Sequence, residues 1–181
     1  MLQNGIRVLT RTLHHGCVAL GEPTTRIRNR ARSVARRCIA IRLQSRRDES
    51  RPALVRSYRR LMGITRSVLR ETATMIRRIG WRAGTAAGRT AGPMHRIQRR
   101  LRELRPIIER VLDQTRARVL GGDIYVADKV VSVFEPHTTV IRKGKKAKPT
   151  EFGNLITIQE AEHQIIAAYD IHEGRPADGT L

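Results

Sequence analysis

The sequence predicts an α+β fold, with an arginine-rich helical segment over residues 1–120 and a β-rich segment over residues 121–181. The spacing of apolar residues changes after Gly121 and Gly122, from about 3.6 residues, which is typical of amphipathic helices, to about two, which is typical of strands. The charge changes at the same place. Residues 1–120 hold 29 of the 31 arginines, no lysine and seven acids, for a net charge of +22, whereas the last 61 residues carry −2.

Four amphipathic helices account for the first segment. The first helix ends near Gly21, and Thr24 or Thr25 caps the second. The third spans about 30 residues after Pro52, and the fourth begins at Pro93. The apolar stripes are Leu2, Ile6, Leu9, Leu13, Cys17 and Leu20 in the first helix, Ile27, Ala31, Val34, Cys38 and Ile41 in the second, Leu54, Leu61, Val68 and Met75 beside Val55, Met62, Leu69 and Ile76 in the third, and Ile97, Leu101, Leu104, Ile108 and Val111 in the fourth.

These stripes predict that the helices pack together as a hairpin or a bundle. Glycines at positions 80, 84, 88 and 92 are expected to loosen the chain between the third and fourth helices. Pro106 is expected to kink or divide the fourth helix, because proline removes a backbone donor and clashes with the preceding turn.

Four runs rich in β-branched and aromatic residues predict strands in the second segment. They cover residues 130–134, 139–142, 154–159 and 164–171, and residues 160–163 read as a tight antiparallel link between the last two. The expected core of these strands is thin, and it consists of Phe134, Ile156, Ile158, Ile165 and Ile166.

The composition predicts duplex DNA as the partner. A net charge of +20 needs counterions, and the planar guanidinium of arginine suits phosphate. A GC-rich genome is an alternative explanation for arginine over lysine, but it explains little of the net charge. Aromatic residues make up 3% of the chain, which argues against modules that stack unpaired bases.

The composition also predicts a cytoplasmic location without a membrane span. Cys17 and Cys38 have no paired spacing, so both are interpreted as reduced, buried thiols. The sequence contains no run of about 18 apolar residues.

Two basic clusters are the candidate DNA-binding sites. The first lies around the second helix, where seven cations occur in 17 residues without an acid; the second is a loop after a strand. A charge run is often only a solvated surface, and that alternative stays open for both clusters. The candidate residues are Arg26, Arg30, Arg36 and Arg37 in the first cluster and Arg142, Lys143, Lys145, Lys146 and Lys148 in the second.

Catalytic residues are not predicted in this chain. The six histidines show no metal-ligand spacing with cysteine or acid, and the sequence has no glycine-rich phosphate loop or nucleophile motif. Asp170 and Glu135 are the best single carboxylates, but one carboxylate does not hold Mg²⁺ for phosphoryl chemistry.

Several segments resemble bacterial insertion-sequence DDE transposases, particularly the ISNCY-like group. VSVFEPHTTVIRKGK at 131–145 and EFGNLITIQEAEHQIIAAYDIHEGRPAD at 151–178 resemble their catalytic region. GIRVLTR at 5–11 and VLDQTRARVLGG at 111–122 resemble flanking stretches in the same order. The resemblance implies that residues 121–181 are the second and third strands of a partial RNase H-like sheet, with residues 1–120 as a helical insertion.

The resemblance also implies a function. Such transposases cut and join DNA with Mg²⁺ held by two aspartates and one glutamate. By the same resemblance the first aspartate lies before the position of Leu2 and the other two acids lie beyond that of Leu181, so we expect an internal fragment without its own metal. The implied partners are element ends, target DNA and intact transposase copies, in the bacterial nucleoid.

Two rival functions stay open. One is a non-enzymatic, basic nucleic-acid-binding protein that clamps a duplex between arginine-rich helices. The other is a shortened transposase product that binds element ends and blocks the full enzyme.

Overall fold

The fold is mixed α+β, as the sequence predicts. A computed structural model describes residues 1–46, 51–85, 91–127, 129–142 and 150–172. The chain divides into a helical unit, Met1–Lys129, and a β unit, Val130–Leu181.

The helical unit contains helices α1 to α4, which span Leu2–Ala19, Ala31–Gln44, Arg51–Thr85 and Ala91–Arg116. Helices α1, α3 and α4 pack against one another, and α2 packs mainly on α3. This arrangement confirms the predicted bundle. Within the described part of the chain, none of the helices has the length and apolarity to cross a membrane.

The core of this unit lies where the three long helices meet. Leu9, Leu13 and Cys17 of α1 are fully buried, as the predicted stripe requires. Thr65 and Thr72 of α3 are also fully buried, and their hydroxyls donate to the carbonyls of Leu61 (3.0 Å) and Val68 (2.9 Å). The other buried apolar residues of the three helices are Leu2, Ile6, Leu61, Met62, Val68, Leu69, Met75, Ile79, Ala83, Met94, Leu101, Leu104, Ile108, Val111 and Leu112.

Two glycines of α1 mark where the helices approach closely. A Cβ atom at Gly5 would lie 3.0 Å from Cγ1 of Ile108 in α4, and one at Gly16 would lie 2.9 Å from Sδ of Met75 in α3. Larger residues at either position would push the helices apart or force a neighbouring side chain off its rotamer.

The predicted loosening by glycine is wrong for the described residues. Helix α3 continues through Gly80 and Gly84, and Gly92 lies inside α4; Gly88 is outside the described residues. Packing explains why position 80 is a glycine. A Cβ atom there would lie 2.7 Å from Nε2 of Gln98, and this nitrogen donates to the carbonyl of Ile76 at 2.9 Å.

Helix α4 is not divided at Pro106, because it runs without a break from Ala91 to Arg116, and the alternative of a kink there stays a prediction. After α4 a π-turn, Ala117–Gly121, leads to Gly122, whose φ of +74° is left-handed. That conformation favours glycine, and it ends the helical run where the sequence predicts.

The end of α1 is confirmed and the start of α2 is corrected. Gly21 is left-handed, and the amides of Gly21 and Glu22 donate to the carbonyls of Val18 (3.0 Å) and Cys17 (2.9 Å). Thr24 and Thr25 do not cap α2, because they belong to a short 3₁₀ turn, Thr24–Arg26. The N-cap of α2 is Arg30, and before it Oδ1 of Asn29 accepts a hydrogen bond of 2.9 Å from the amide of Ala31, which makes a local turn.

Glu22 ties the end of α1 to α3. It pairs with Arg78 of α3 and, at 3.3 Å, with Arg26. The hydrogen bond from Arg78 is the main cause that holds the pKa of Glu22 below its usual value. A carboxyl group with a lowered folded-state pKa stabilises the fold above its unfolded pKa of about 4.3, and this contribution is lost as the pH falls through the folded value.

The Glu22→Gln variant is therefore expected to be less stable than the wild type near neutral pH, by up to about 1 kcal/mol. Both chains should converge in stability as the pH falls from about 4 through the folded-state pKa. Urea denaturation at several pH values measures the difference. A difference that grows on acidification would contradict the assignment, and Glu103→Gln, at an exposed ion pair, is the matched control.

The described residues of the β unit form two separate two-stranded antiparallel sheets. In the first, β1 (Thr139–Arg142) pairs with β2 (Thr150–Gly153). In the second, β3 (Leu155–Ala161) pairs with β4 (Ile165–His172), so that Ile156 faces Ile171 and Ile158 faces Tyr169.

Three features of the β unit differ from the prediction. Residues 130–134 form no strand, because the hydroxyl of Ser132 accepts hydrogen bonds from the amides of Phe134 and Glu135, both at 3.2 Å, which makes a local turn. β2 was not predicted. The link between the last two strands is the turn Glu162–Gln164, in which His163 and Gln164 have positive φ.

The expected core of the β unit is also wrong. Phe134, Ile156, Ile158, Ile165 and Ile166 are all exposed, by 52 to 61%. A two-stranded hairpin has nothing to bury its side chains against, so β-branched composition predicted the strands correctly without predicting burial.

Candidate nucleic-acid interface

Arginine covers the surface of the helical unit. Of the 27 arginines described in this unit, 23 are exposed and four are half-buried. Four glutamates, Glu22, Glu71, Glu103 and Glu109, supply the acid side of the ion pairs found among the described residues. The surface is therefore strongly positive, and its arginines differ in whether they have an acid beside them.

Arg30 is held inside the unit. Its guanidinium binds both carboxylate oxygens of Glu71 on α3, with Nη1 3.0 Å from Oε2, and Nη2 also donates to the hydroxyl of Ser67 at 3.2 Å. The Arg30 side chain is only 12% exposed. This predicted DNA-binding residue thus anchors the segment before α2 to α3.

The other three predicted residues near α2 differ in exposure. Arg26 is exposed and paired with Glu22. Arg37 is half-buried and donates to the carbonyl of Ser33 (2.8 Å) and to its hydroxyl (2.6 Å). Arg36 is exposed on the outer side of α2.

The predicted basic loop can be placed only at its start. Arg142 is the last residue of β1, in register with Thr150 of β2. The other predicted cations of this loop lie outside the described residues: Lys143, Lys145, Lys146 and Lys148.

The structure adds a line of arginines along α3 that the sequence analysis missed. Arg59, Arg66, Arg70 and Arg77 are all exposed, at intervals of seven, four and seven residues. These intervals put the four residues on one side of the helix, over about 27 Å at 1.5 Å per residue. We call this set the α3 arginine stripe. The intervals are visible in the sequence, where only the apolar rows of this helix were followed.

The α3 arginine stripe is less compensated by acids than the outer side of α4. On α4, Arg99 and Arg100 lie 3.7 and 3.5 Å from Glu103, and Arg105 lies 2.8 Å from Glu109. On α3 the acid is Glu71, which is bound to Arg30. None of the four stripe arginines takes part in an ion pair found among the described residues.

An exposed tryptophan lies near one end of the stripe. Trp81 is 71% exposed, and with Arg77, Arg78 and Arg82 it lines a cleft at the end of α3. Tyr58 is half-buried and Tyr125 is exposed, so the described part of the helical unit has few exposed aromatic rings. This arrangement provides cations for phosphate contact and no extended platform for stacking bases.

Arg30 and Arg36 allow a structural role of arginine to be separated from the predicted role in DNA binding. We expect Arg30→Met to lower the free energy of unfolding by about 1–3 kcal/mol, because Glu71 loses its charged hydrogen-bond partner. Arg36→Met, which removes the same charge from an exposed site, should change stability by less than about 0.5 kcal/mol and lower duplex affinity several-fold. Urea denaturation and DNA titration measure both, and a larger stability loss for Arg36→Met would contradict the assignment.

No group of three histidine, cysteine or acidic residues lies close enough together, in the part of the chain that is described, to hold a metal ion. The two cysteines are free; Cys17 is buried and Cys38 half-buried, and burial raises the pKa of both thiols. The interpretation of Cys17 as a buried thiol is confirmed.

Comparison with known proteins adds no relative to this description. The chain matches no protein-family model, no curated protein and no solved structure.

Proposed function

We propose that this chain binds duplex DNA by phosphate contacts from the arginine-covered surface of its helical unit, centred on the α3 arginine stripe. The observation that carries the proposal is the stripe itself: four exposed arginines on one side of a helix, with no acid paired to them among the described residues. Repulsion along such a row is relieved by phosphates, which duplex DNA supplies at about one charge per 1.7 Å of helix axis.

Duplex DNA is favoured over single strands by what surrounds the stripe. Single-strand binding modules combine a basic groove with aromatic side chains on which successive bases stack. Here Trp81 is the aromatic residue next to the stripe, and it lies at one end. A straight row of cations on a rigid helix fits the regular backbone of a duplex better than a flexible strand.

Binding of duplex and single-stranded DNA of equal length tests this choice. We expect tighter binding of the duplex, with an affinity that falls steeply as salt is raised, because each phosphate contact releases counterions. Equal or tighter binding of the single strand at the same salt concentration would contradict the proposal.

We propose that the setting of this DNA binding is transposition of an insertion sequence. The support is the ordered sequence resemblance to DDE transposases, together with an antiparallel hairpin, β3–β4, within residues 121–181, the region to which the resemblance assigns the second and third strands of an RNase H-like sheet. The exposed side chains of Ile156 and Ile158 fit a hairpin that belongs to a larger sheet. The transposition proposal concerns DNA binding and assigns no cleavage step to the described residues.

The DNA that flanks the coding sequence tests the transposition setting. We expect codons for an aspartate-bearing strand upstream, for the second catalytic aspartate downstream, and terminal inverted repeats around both. Their absence would leave the alternative of a non-enzymatic nucleic-acid-binding protein, which the arginine-covered surface supports equally.

A further inference from the structure

A small cleft in the helical unit lies apart from the α3 arginine stripe. It has a volume of about 260 Å³, and it is formed by one side of α1 and the start of α2. Its lining residues include two arginines and a histidine but no aspartate or glutamate. The cleft is therefore positive, and it is too small for an oligonucleotide.

The two arginines of the cleft come from consecutive turns of α1. Arg7 and Arg11 are exposed and four residues apart, so their side chains lie on the same side of the helix. His14 follows on the next turn, where its Nε2 is 3.3 Å from the carbonyl oxygen of Ile27. Two like charges this close repel, and an anion between them removes the repulsion.

The rest of the lining is mixed: Gln3 and Asn29 are polar, Ile6 and Val34 are apolar, and one hydroxyl is unsatisfied. Ile6 and Val34 are 3% and 2% exposed and give the cleft an apolar side. Thr10 also lines the cleft, and its Oγ1 is buried without a hydrogen-bond partner among the described residues. A buried hydroxyl without a partner destabilises the empty state, and a ligand that supplies an acceptor or donor offsets this cost.

We propose that this cleft binds a nucleoside 5′-phosphate, with the phosphate at Arg7 and Arg11 and the nucleoside against Ile6 and Val34. The arginine pair provides forked donors for a dianionic phosphate, and the apolar wall accommodates an uncharged ring system. This chemistry has two sources: a free nucleoside monophosphate, or the 5′-phosphorylated end of a DNA strand. The inference does not depend on duplex binding by the α3 arginine stripe.

Calorimetric titration of the full chain with a deoxynucleoside 5′-monophosphate tests the site. We expect binding at least about 10-fold tighter than that of inorganic phosphate. The double variant Arg7→Gln and Arg11→Gln should abolish binding. Its matched control is Arg66→Gln with Arg70→Gln, which has the same spacing and the same charge change on α3, and which should leave nucleotide binding unchanged.

A second variant keeps the test independent of charge. Thr10→Val removes the unpaired hydroxyl at almost constant volume, so the protein should remain folded while nucleotide affinity falls several-fold. Equal binding of inorganic phosphate and nucleotide, or loss of binding in the α3 control alone, would overturn the proposal.

The two sources are separated with duplexes that end in a 5′-phosphate or a 5′-hydroxyl. A preference for the 5′-phosphate that disappears in the Arg7/Arg11 variant identifies a strand end as the ligand. Binding of the free monophosphate without that preference identifies a free nucleotide, and absence of both overturns the site. If the Arg66/Arg70 control loses affinity for duplexes with either 5′ group, the loss reports duplex binding by the α3 arginine stripe and not nucleotide binding by the cleft.

Discussion

Replacing Arg59, Arg66, Arg70 and Arg77 together by glutamine is expected to lower the affinity for duplex DNA by about 100-fold at low salt. Such a loss corresponds to about 3 kcal/mol, or less than 1 kcal/mol for each guanidinium–phosphate contact. That is the range for exposed ion pairs, and all four residues are exposed. The measurement is a titration of fluorescently labelled duplex with wild-type and variant chains.

The control for this variant changes the same charge on α4. Arg96, Arg99, Arg100 and Arg102 are also exposed, but their side of the helix includes Glu103, which lies within 4 Å of two of them. Glutamine at these four positions should lower the affinity far less than glutamine along the stripe. Equal losses would mean that total charge, rather than the row on α3, determines binding.

The largest effect on stability is expected from Leu9→Ala. Leu9 is completely buried where α1 meets the other long helices, and its truncation leaves a cavity in a packed core. Such changes lower the free energy of unfolding by about 2–5 kcal/mol. Thermal or urea denaturation followed by helical circular dichroism measures the loss.

Ile158→Ala is the informative counterpart in the β unit. The sequence predicted Ile158 as a core residue, but it is 56% exposed on β3. Its truncation should change stability by less than about 0.5 kcal/mol, as at an ordinary surface site. A loss comparable to that of Leu9→Ala would show that the hairpin buries Ile158 in solution.

The helical unit was largely predictable because burial there follows a single period. Leu9, Leu13 and Cys17 recur at intervals of four residues, and all are buried as that spacing requires. The start of α2 was harder to predict. Thr24 and Thr25 fit the preference for an N-cap, but they form a 3₁₀ turn, and the N-cap position of α2 is occupied by Arg30, which makes no capping hydrogen bond with its side chain.

In the β unit, the residue pattern predicted the last two strands but not which side chains are buried. β-branched residues predicted β3 and β4, since these residue types favour strands locally. Burial of Ile156 and Ile158 depends on a second layer, about which the local sequence carries no information. At residues 130–134 the composition favours a strand, but the chain turns there because the hydroxyl of Ser132 accepts a hydrogen bond from the amide of Phe134.

The sequence did not show which arginines belong to the candidate interface, and DNA binding itself stays a prediction. Charge alone indicated phosphate contact, yet Arg30 proved to be bound to Glu71, 41 residues away in the chain. Such a pairing is invisible to a count of local charge. The stripe on α3 could have been found, because intervals of seven, four and seven residues between Arg59 and Arg77 are a helical pattern.

The salt dependence of duplex binding tests the central role of the α3 arginine stripe most directly. The logarithm of the binding constant falls linearly with the logarithm of the salt concentration, with a slope of about 0.9 for each phosphate contact. We predict that the slope of the glutamine variant of Arg59, Arg66, Arg70 and Arg77 is smaller in magnitude than the wild-type slope by about 3 to 4. The slope of the α4 control variant should stay close to the wild-type slope. An unchanged slope in the stripe variant would contradict the assignment of this surface to DNA.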